Sequence, residues 1–330
     1  MSKILFIIKK RNTSYGISFG LKNSAEFVAN SLIENGHEAK VVQVFDNSNI
    51  DKEVHDYKPT HVIIEALWVV PAKIRELLKL HKKVKWTVRI HSKTPFLSNE
   101  GIAFPWIKEY NLISEEFSNF KISSNNFEFN QDLSKVIGNE SIYLPNIYLP
   151  TKRIKKVRKE DDVIKIGCFG SIRPMKNHLE QAIAAIIFAE SQCKKLEFHV
   201  NSGLLEQRGE EVLKNLRGLF AINGHDLVEH EWMPHNDFVE LVKTMDMGMQ
   251  VSLSESFNIV TADFVANNIP MVVSTDVSWM PWNTRAVPTD TKDIVTSLKS
   301  AWLFPKLTWF NYRALVNHNK KAIKAWEVYV

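Results

Sequence analysis

The chain has 330 residues, of which 45% are hydrophobic and 24% charged, with a formal net charge of +5. These are globular values. They exclude a disordered or low-complexity chain, and no apolar run reaches the roughly 18 residues of a membrane-spanning helix. The length suits two domains of roughly 150 residues.

The opening MSKILFIIKK has a short apolar stretch without a small-residue cleavage site, so it reads as a first strand, 3–8, and not as a signal peptide. Residues 23–34 place Ala25, Val28, Leu32 and Ile33 near helical spacing, and Asn35-Gly36 is the stop. Strands are predicted over 39–44, 60–67 and 84–91, with a helix over 71–81 between the last two. This βαβ rhythm implies a parallel sheet covered on both faces. Pro145, Pro150 and the polar run 151–162 then interrupt it, which places the domain boundary there. Strands resume over 164–169, 196–201, 227–232, 248–253 and 271–274, with helices over 178–190 and 206–220 and a closing helix over 309–326. The expected organisation is a first domain over 1–150, a linker over 151–162, and a second domain over 163–330 whose last helix returns to the first. The fold class is α/β, with two Rossmann-like, doubly wound domains facing a cleft between the carboxyl ends of their sheets.

Charge is uneven along the chain. Residues 1–150 hold 19 Lys and Arg against 16 Asp and Glu, a balance of +3; residues 151–162 hold 6 against 3, another +3; residues 163–330 hold 17 against 18, or −1. A basic first half can attract a polyanion. Cys168 and Cys193 have neither metal-ligand spacing nor the density of a disulfide framework, so a reducing cytoplasm is the expected compartment.

Two constellations carry chemistry. The first follows strand 164–169: Gly170-Ser-Ile-Arg173-Pro-Met-Lys176-Asn-His178, a small-residue turn with two cations just before a helix. Free backbone N–H groups at the helix start, with Arg173 and Lys176, suit a diphosphate. The second follows strand 248–253. Glu255 stands at the strand end and Asp263 eight positions on, about two turns into the next helix and on the same face. Two acids so placed can hold sugar and ribose hydroxyls, while the turn between them aims backbone N–H groups at phosphate. No D-x-D pair and no zinc spacing occurs, and the two cations can stabilise a departing diphosphate themselves, so no metal or cofactor is expected.

Together these segments resemble the family 4 retaining glycosyltransferases of GT-B fold. That family opens its second domain with a strand, a G-x-[ILV]-x-x-x-K turn and a helix, here Gly170 to Lys176, and later carries an E-x₇-E motif, here Glu255 and Asp263. A Pro-Val-Val-type strand follows, here 270–274. The sequence departs from the pattern in the shorter second acid and in Asn258, which stands where the family has glycine. The resemblance implies a nucleotide-diphosphate sugar of UDP type as donor. Arg173 and Lys176 would bind its diphosphate, with Gly170 in the turn. Glu255 would act at the donor sugar, Asp263 would hold the ribose, and Ser256, Phe257, Asn258 and Ile259 would offer backbone amides. Trp232 and Met233 fall where the family seats the nucleobase. His91, at the end of strand 84–91, takes the position of a family histidine near the reacting sugar.

The acceptor is sought in the first domain. The loop 11–21, with Arg11, Tyr15, Gly16 and Phe19, permits close approach of a ligand. Lys93, Phe96 and Glu100 lie just beyond His91. The stretch 89–101 resembles bacteriophage-type glycosyltransferases, some of which decorate hydroxymethylated cytosine in DNA with glucose or arabinose. Double-stranded DNA in a phage-infected host cytoplasm is therefore the expected acceptor, with the base flipped out and phosphates held by Lys and Arg. The alternatives are a bacterial surface-polysaccharide or lipid-linked acceptor, a nucleotide-sugar epimerase of the same fold, and a non-catalytic nucleic-acid or sugar-binding module.

Overall fold

The computed structural model describes residues 1–10, 19–150, 161–304 and 306–330, with Phe19 described by its backbone alone. The chain divides into two units, residues 1–149 with 318–330, and residues 150–317.

In the first unit, β1 (Lys3–Lys9), β2 (Glu38–Val44), β3 (His61–Glu65), β4 (Lys85–Ile90), β5 (Phe120–Ser124) and β6 (Ile142–Tyr143) form one sheet in the order β2-β1-β3-β4-β5-β6. Every pairing is parallel. The connections carry α1 (Phe19–Glu34), α2 (Ile50–Tyr57), α3 (Pro71–Leu80), α4 (Thr94–Leu97), α5 (Ala103–Glu116) and α6 (Phe127–Ile137). Helices cover both faces, so the central strands are mostly apolar instead of alternating with polar residues, with Glu65 and Arg89 near their carboxyl ends as charged exceptions. Leu5, Ile7, Val62 and Ile64 point into one core, and Ile4, Phe6, Ile8 and Ile63 into the other. The strand predicted over 60–67 ends at Glu65. Ala66 takes φ +71 and turns the chain out of the sheet.

In the second unit, β7 (Val163–Gly167), β8 (Lys195–Asn201), β9 (Asp226–His230), β10 (Met247–Gln250), β11 (Met271–Ser274) and β12 (Arg285–Ala286) form a second parallel sheet, ordered β12-β11-β10-β7-β8-β9. Its helices are α7 (His178–Ser191), α8 (Gly209–Phe220), α9 (His235–Thr244), α10 (Ile259–Ala266) and α11 (Thr291–Leu303). Gly167 and Gly248 are neighbours on β7 and β10. A Cβ on either would lie within 2.7 Å of the Phe264 ring, so two adjacent glycines let α10 lie close on the sheet.

The last helix, α12 (Leu307–Tyr329), begins in the second unit and ends in the first. Its Trp326 is fully buried against Phe6, with ring centroids 5.7 Å apart, and donates from Nε1 to Pro145 O at 2.8 Å. Asn319 accepts from Tyr148 N at 3.0 Å and donates to Tyr148 O. Ser2 Oγ donates to Val330 O at 2.6 Å, so the two ends of the chain close on one another.

Candidate active site

In the second sheet the strand order reverses between β7 and β10. Ligands of open α/β sheets bind at such a switch point, outside the carboxyl ends of the strands. The loops leaving β7 and β10 meet there. Gly170 has φ +112, a conformation that a side chain would strain, and its N–H donates to Asn201 Oδ1 at 2.9 Å. After Arg173 comes a single 3-10 turn, Pro174–Lys176, and then Asn177 at φ +58 before α7. Asn177 donates to Val251 O at 3.1 Å and to Pro288 O at 2.7 Å. Leu253 N donates to Met175 O at 2.9 Å. Gln181 bridges the two loops, donating to Lys176 O at 2.8 Å and accepting from Val251 N at 2.7 Å.

This stitching fixes the charged groups. Arg173 donates from Nη1 to Glu206 Oε2 at 2.6 Å, and Lys176 Nζ donates to Glu255 Oε1. The Lys176 and Glu255 side chains are only 13% and 9% exposed, so their attraction is weakly screened by solvent. Burial alone would raise the Glu255 carboxyl. The Lys176 charge and hydrogen bond, with the Arg173 charge, outweigh it and hold the group below its ordinary value. Glu255 N donates to Asp276 Oδ2 at 3.1 Å, tying the site to the loop after β11.

Between Glu255 and α10, Phe257 is buried and stacked on Trp279, whose Nε1 donates to Phe257 O at 2.7 Å. Asn258 adopts φ +63, the left-handed region that asparagine tolerates better than other side chains. It also does what glycine cannot. Its Oδ1 caps α10 by accepting from Thr261 N at 2.8 Å, and its Nδ2 donates to Gln250 Oε1 at 2.8 Å. Ser256 and Ile259 flank it, both half-buried.

Asp263 lies in the second turn of α10 with its side chain 2% exposed, and its Oδ1 is bonded to His235 Nε2 at 2.7 Å. The two acids of the motif are thus each engaged by a base, Glu255 by Lys176 and Asp263 by His235. That hydrogen bond and the Asp263 charge raise the His235 imidazole against the opposing effect of burial. Trp232 and Met233 lie between β9 and α9 and are half-buried. Gly203 packs beneath them, where a Cβ would come within 2.8 Å of Trp232 N.

The first sheet has its own switch point, between β1 and β3. A pocket of about 160 Å³ opens there, lined by Lys9, Ala66, Trp68, His91, Leu97 and Glu100 among others. Glu65 and Arg89 are paired in register on β3 and β4 and fully buried beneath it. Arg89 Nη1 donates to both Glu65 oxygens at 3.1 Å, and its Nε donates to Leu144 O at 2.8 Å. Burial would raise Glu65, but Arg89 and His91 keep it below its ordinary value. His91 joins Glu65 Oε2 through Nε2, and its Nδ1 lies 3.3 Å from Asn125 Nδ2. This arrangement fits a neutral imidazole that donates from Nε2 and accepts at Nδ1. Burial and Arg89 lower the His91 imidazole, overcoming the opposite pull of Glu65.

Glu100 lines this pocket, whereas Lys93, just before α4, and the half-buried Phe96 do not. Arg11, Tyr15, Gly16, the Phe19 side chain and the linker up to residue 160 lie outside the described residues. Several members of both sites escaped the sequence reading: Glu65, Gln181, Glu206, His235 and Asp276. One signal was available. Single charges near the ends of the successive apolar strands HVIIE and KWTVRI indicate a buried pair. Among the described residues no group of three or more His, Cys, Asp or Glu could hold a metal ion, and no helix is long and apolar enough to cross a membrane.

No family model matches the chain, and a search of curated proteins found no significant match. Solved structures do match. Trehalose-6-phosphate synthase OtsA superposes with a TM-score of 0.73 at 10% identity, over 98% of this chain and 97% of that one. A glycosyltransferase from Rickettsia africae ESF-5 superposes at 0.70 and 12% identity, over 99% and 97%. An E. coli structure described as trehalose-6-phosphate bound with UDP-2-fluoro glucose also gives 0.70, at 10% identity and over 98% and 97%. At these identities the likeness establishes the fold, GT-B with two Rossmann-like domains.

Proposed function

We propose that the chain is a retaining glycosyltransferase that takes a sugar from a UDP-type donor. The observation that carries this reading is the Lys176–Glu255 pair at the switch point of the second sheet, with Arg173 on the same turn. Anionic donor phosphates would exchange with Glu255 and Glu206 for the two cations, and the N-terminus of α10 would add backbone N–H groups. Freed from Lys176, the Glu255 carboxylate would steady the positive charge that develops at the anomeric carbon. That carbon loses its bond to the diphosphate oxygen and gains one to the acceptor oxygen on the same face. The acceptor proton passes to the departing phosphate, and Arg173 and Lys176 meet the charge released. His235, backed by Asp263, would hold the ribose beside Trp232. The names of the like-folded structures, trehalose-6-phosphate synthase and a complex with UDP-2-fluoro glucose, support a UDP-sugar donor.

For the acceptor we infer a carbohydrate hydroxyl seated in the pocket of the first unit, with Trp68 as an apolar wall and Lys9, His91 and Glu100 as polar partners. The DNA acceptor expected from the sequence rested on the stretch 89–101 and the basic charge of the first half and linker; of its candidate contacts, Arg11, Tyr15, the Phe19 side chain and the linker up to residue 160 lie outside the described residues, and the pocket does not include Lys93 or Phe96.

Calorimetric titration of UDP tests the donor site. Charge-assisted contacts are worth roughly 1.5–3 kcal/mol each, so Arg173→Ala or Lys176→Ala should weaken binding about tenfold or more. Unchanged affinity in both variants would refute the assignment. Mass spectrometry of products from simple glycosides and from hydroxymethylcytosine DNA tests the acceptor. Transfer to DNA alone would overturn the carbohydrate reading and leave the donor site standing.

A further inference from the structure

The surface around the start of α12 has a composition that ordinary solvation does not explain. Leu303 and Phe304, at the end of α11, are 66% and 59% exposed, and Trp309 and Phe310, in the first turn of α12, are 43% and 52% exposed. The Trp309 and Phe310 rings touch edge to face at 5.0 Å, and the Arg313 guanidinium lies 5.3 Å over the Trp309 ring. Farther along α12 the same exposed face continues as Arg313, Asn317, Lys320, Lys321 and Lys324. The opposite face buries Thr308, Asn311, Leu315, Asn319, Ala322 and Trp326. The exposed stripe is therefore set by the helical repeat, with aromatic side chains at one end, cations through the middle, and Glu327 and Val328 at the last turn.

No Asp or Glu occurs between Asp293 and Glu327. Among the described residues, no ion pair involves Lys306, Arg313, Lys320, Lys321 or Lys324. A solvated helix face commonly intersperses acids three or four positions from its lysines, and like charges at that spacing repel. Lys320, Lys321 and Lys324 stand at that spacing, and the one acid of this helix, Glu327, lies beyond all three.

We propose that this face docks on an anionic lipid surface, with Leu303, Phe304, Trp309 and Phe310 entering the headgroup boundary and the cations of α12 meeting lipid phosphates and carboxylates. Exposed apolar and aromatic groups beside unpaired cations are the two signals that a stable peripheral attachment requires. Nucleic acid would also satisfy the cations, and Trp309 could stack on a base. It offers nothing comparable for Leu303 and Phe304, which is why the lipid surface is the better fit. The assignment places lipid contact along the exposed face of α12 and the end of α11. It does not depend on the reaction proposed above.

The test is flotation of the full chain with vesicles of phosphatidylcholine alone and with about 30% phosphatidylserine, at low and physiological salt. Binding is expected to the anionic vesicles only. Lys320→Glu with Lys321→Glu should weaken it by about tenfold or more. These side chains are exposed, so the fold survives, as circular dichroism and UDP binding of the variant would show. Brominated lipid should quench the tryptophan fluorescence of the bound chain, and Trp309→Phe should keep the binding while reducing the quench. Absence of binding to anionic vesicles would overturn the proposal, as would binding that ignores both substitutions. Tighter, lysine-dependent binding to a DNA duplex than to vesicles at the same salt would assign the face to nucleic acid instead.

Discussion

A lysine and a glutamate 79 residues apart form the centre of the second unit's site. Neither could be placed from its neighbours alone. What was legible was that each follows a strand and precedes a helix, and the parallel sheet brings such positions together. The Glu255 carboxylate is expected to serve the developing charge on the sugar, so Glu255→Gln should lower kcat by orders of magnitude while UDP affinity changes modestly. Steady-state kinetics beside calorimetry would separate the two effects, and a parallel loss of both would reassign Glu255 to binding. A second residue of the same turn has a different consequence. His178 is buried, neither ring nitrogen has a hydrogen-bond partner among the described residues, and burial first, then Lys176 and Arg173, push its imidazole down to about 3. The folded chain therefore holds a neutral imidazole that the unfolded chain would protonate near pH 6.5. Stability from this group is fully present above about 6.5 and declines as pH falls toward about 3. His178→Phe should flatten that decline, as measured by urea denaturation at neutral pH and at about pH 4.5. An unchanged slope would mean that other groups govern the acid limb.

At the level of elements, strands were more legible than helices. The apolar runs at β1, β3, β7 and β11 announce themselves because strands buried on both faces are mostly apolar. The helices Ala103–Glu116, Phe127–Ile137, His235–Thr244 and Thr291–Leu303 were not resolved from sequence. Their apolar faces are interrupted by polar residues that hydrogen-bond within the fold, such as Asn130, which donates to Ser141 O at 3.1 Å. The buried Glu65–Arg89 pair left only a faint trace in the charges near its strand ends, and its link to Asn146 was illegible, since it depends on the order in which strands lie and not on any local pattern. The start of α10 shows how a departure from a motif can be compensated locally. Asn258 accepts the left-handed backbone, caps the helix and bonds Gln250. Asn258→Gly keeps the backbone and should cost about 1 kcal/mol, from the lost buried hydrogen bond and a weaker cap. Asn258→Ala adds left-handed strain of roughly 1–2 kcal/mol and should be the worse of the two. Thermal unfolding of both variants would check the order, and alanine equal to or better than glycine would show that the backbone relaxes out of this conformation.

For the whole molecule, the path of α12 makes the first unit depend on the last residues of the chain. Trp326 is fully buried, packs on Phe6 and Tyr329, lies 5.3 Å from the Arg89 guanidinium and donates to Pro145 O. It thus touches the first strand, the buried Glu65–Arg89 pair and the segment that leaves the first sheet. Truncating a buried tryptophan costs roughly 3–5 kcal/mol, a large share of what a domain of this size has in reserve. Every residue proposed to hold the donor lies between 150 and 317, in the other unit. Trp326→Ala should therefore lower the unfolding temperature of the first unit and leave that of the second near its original value, so that calorimetry resolves two transitions or widens the gap between them. UDP binding should persist at temperatures where the first unit has already melted. Simultaneous loss of UDP binding and of the first transition would show instead that the units unfold as one, and that the donor site borrows its stability from the sheet that α12 completes.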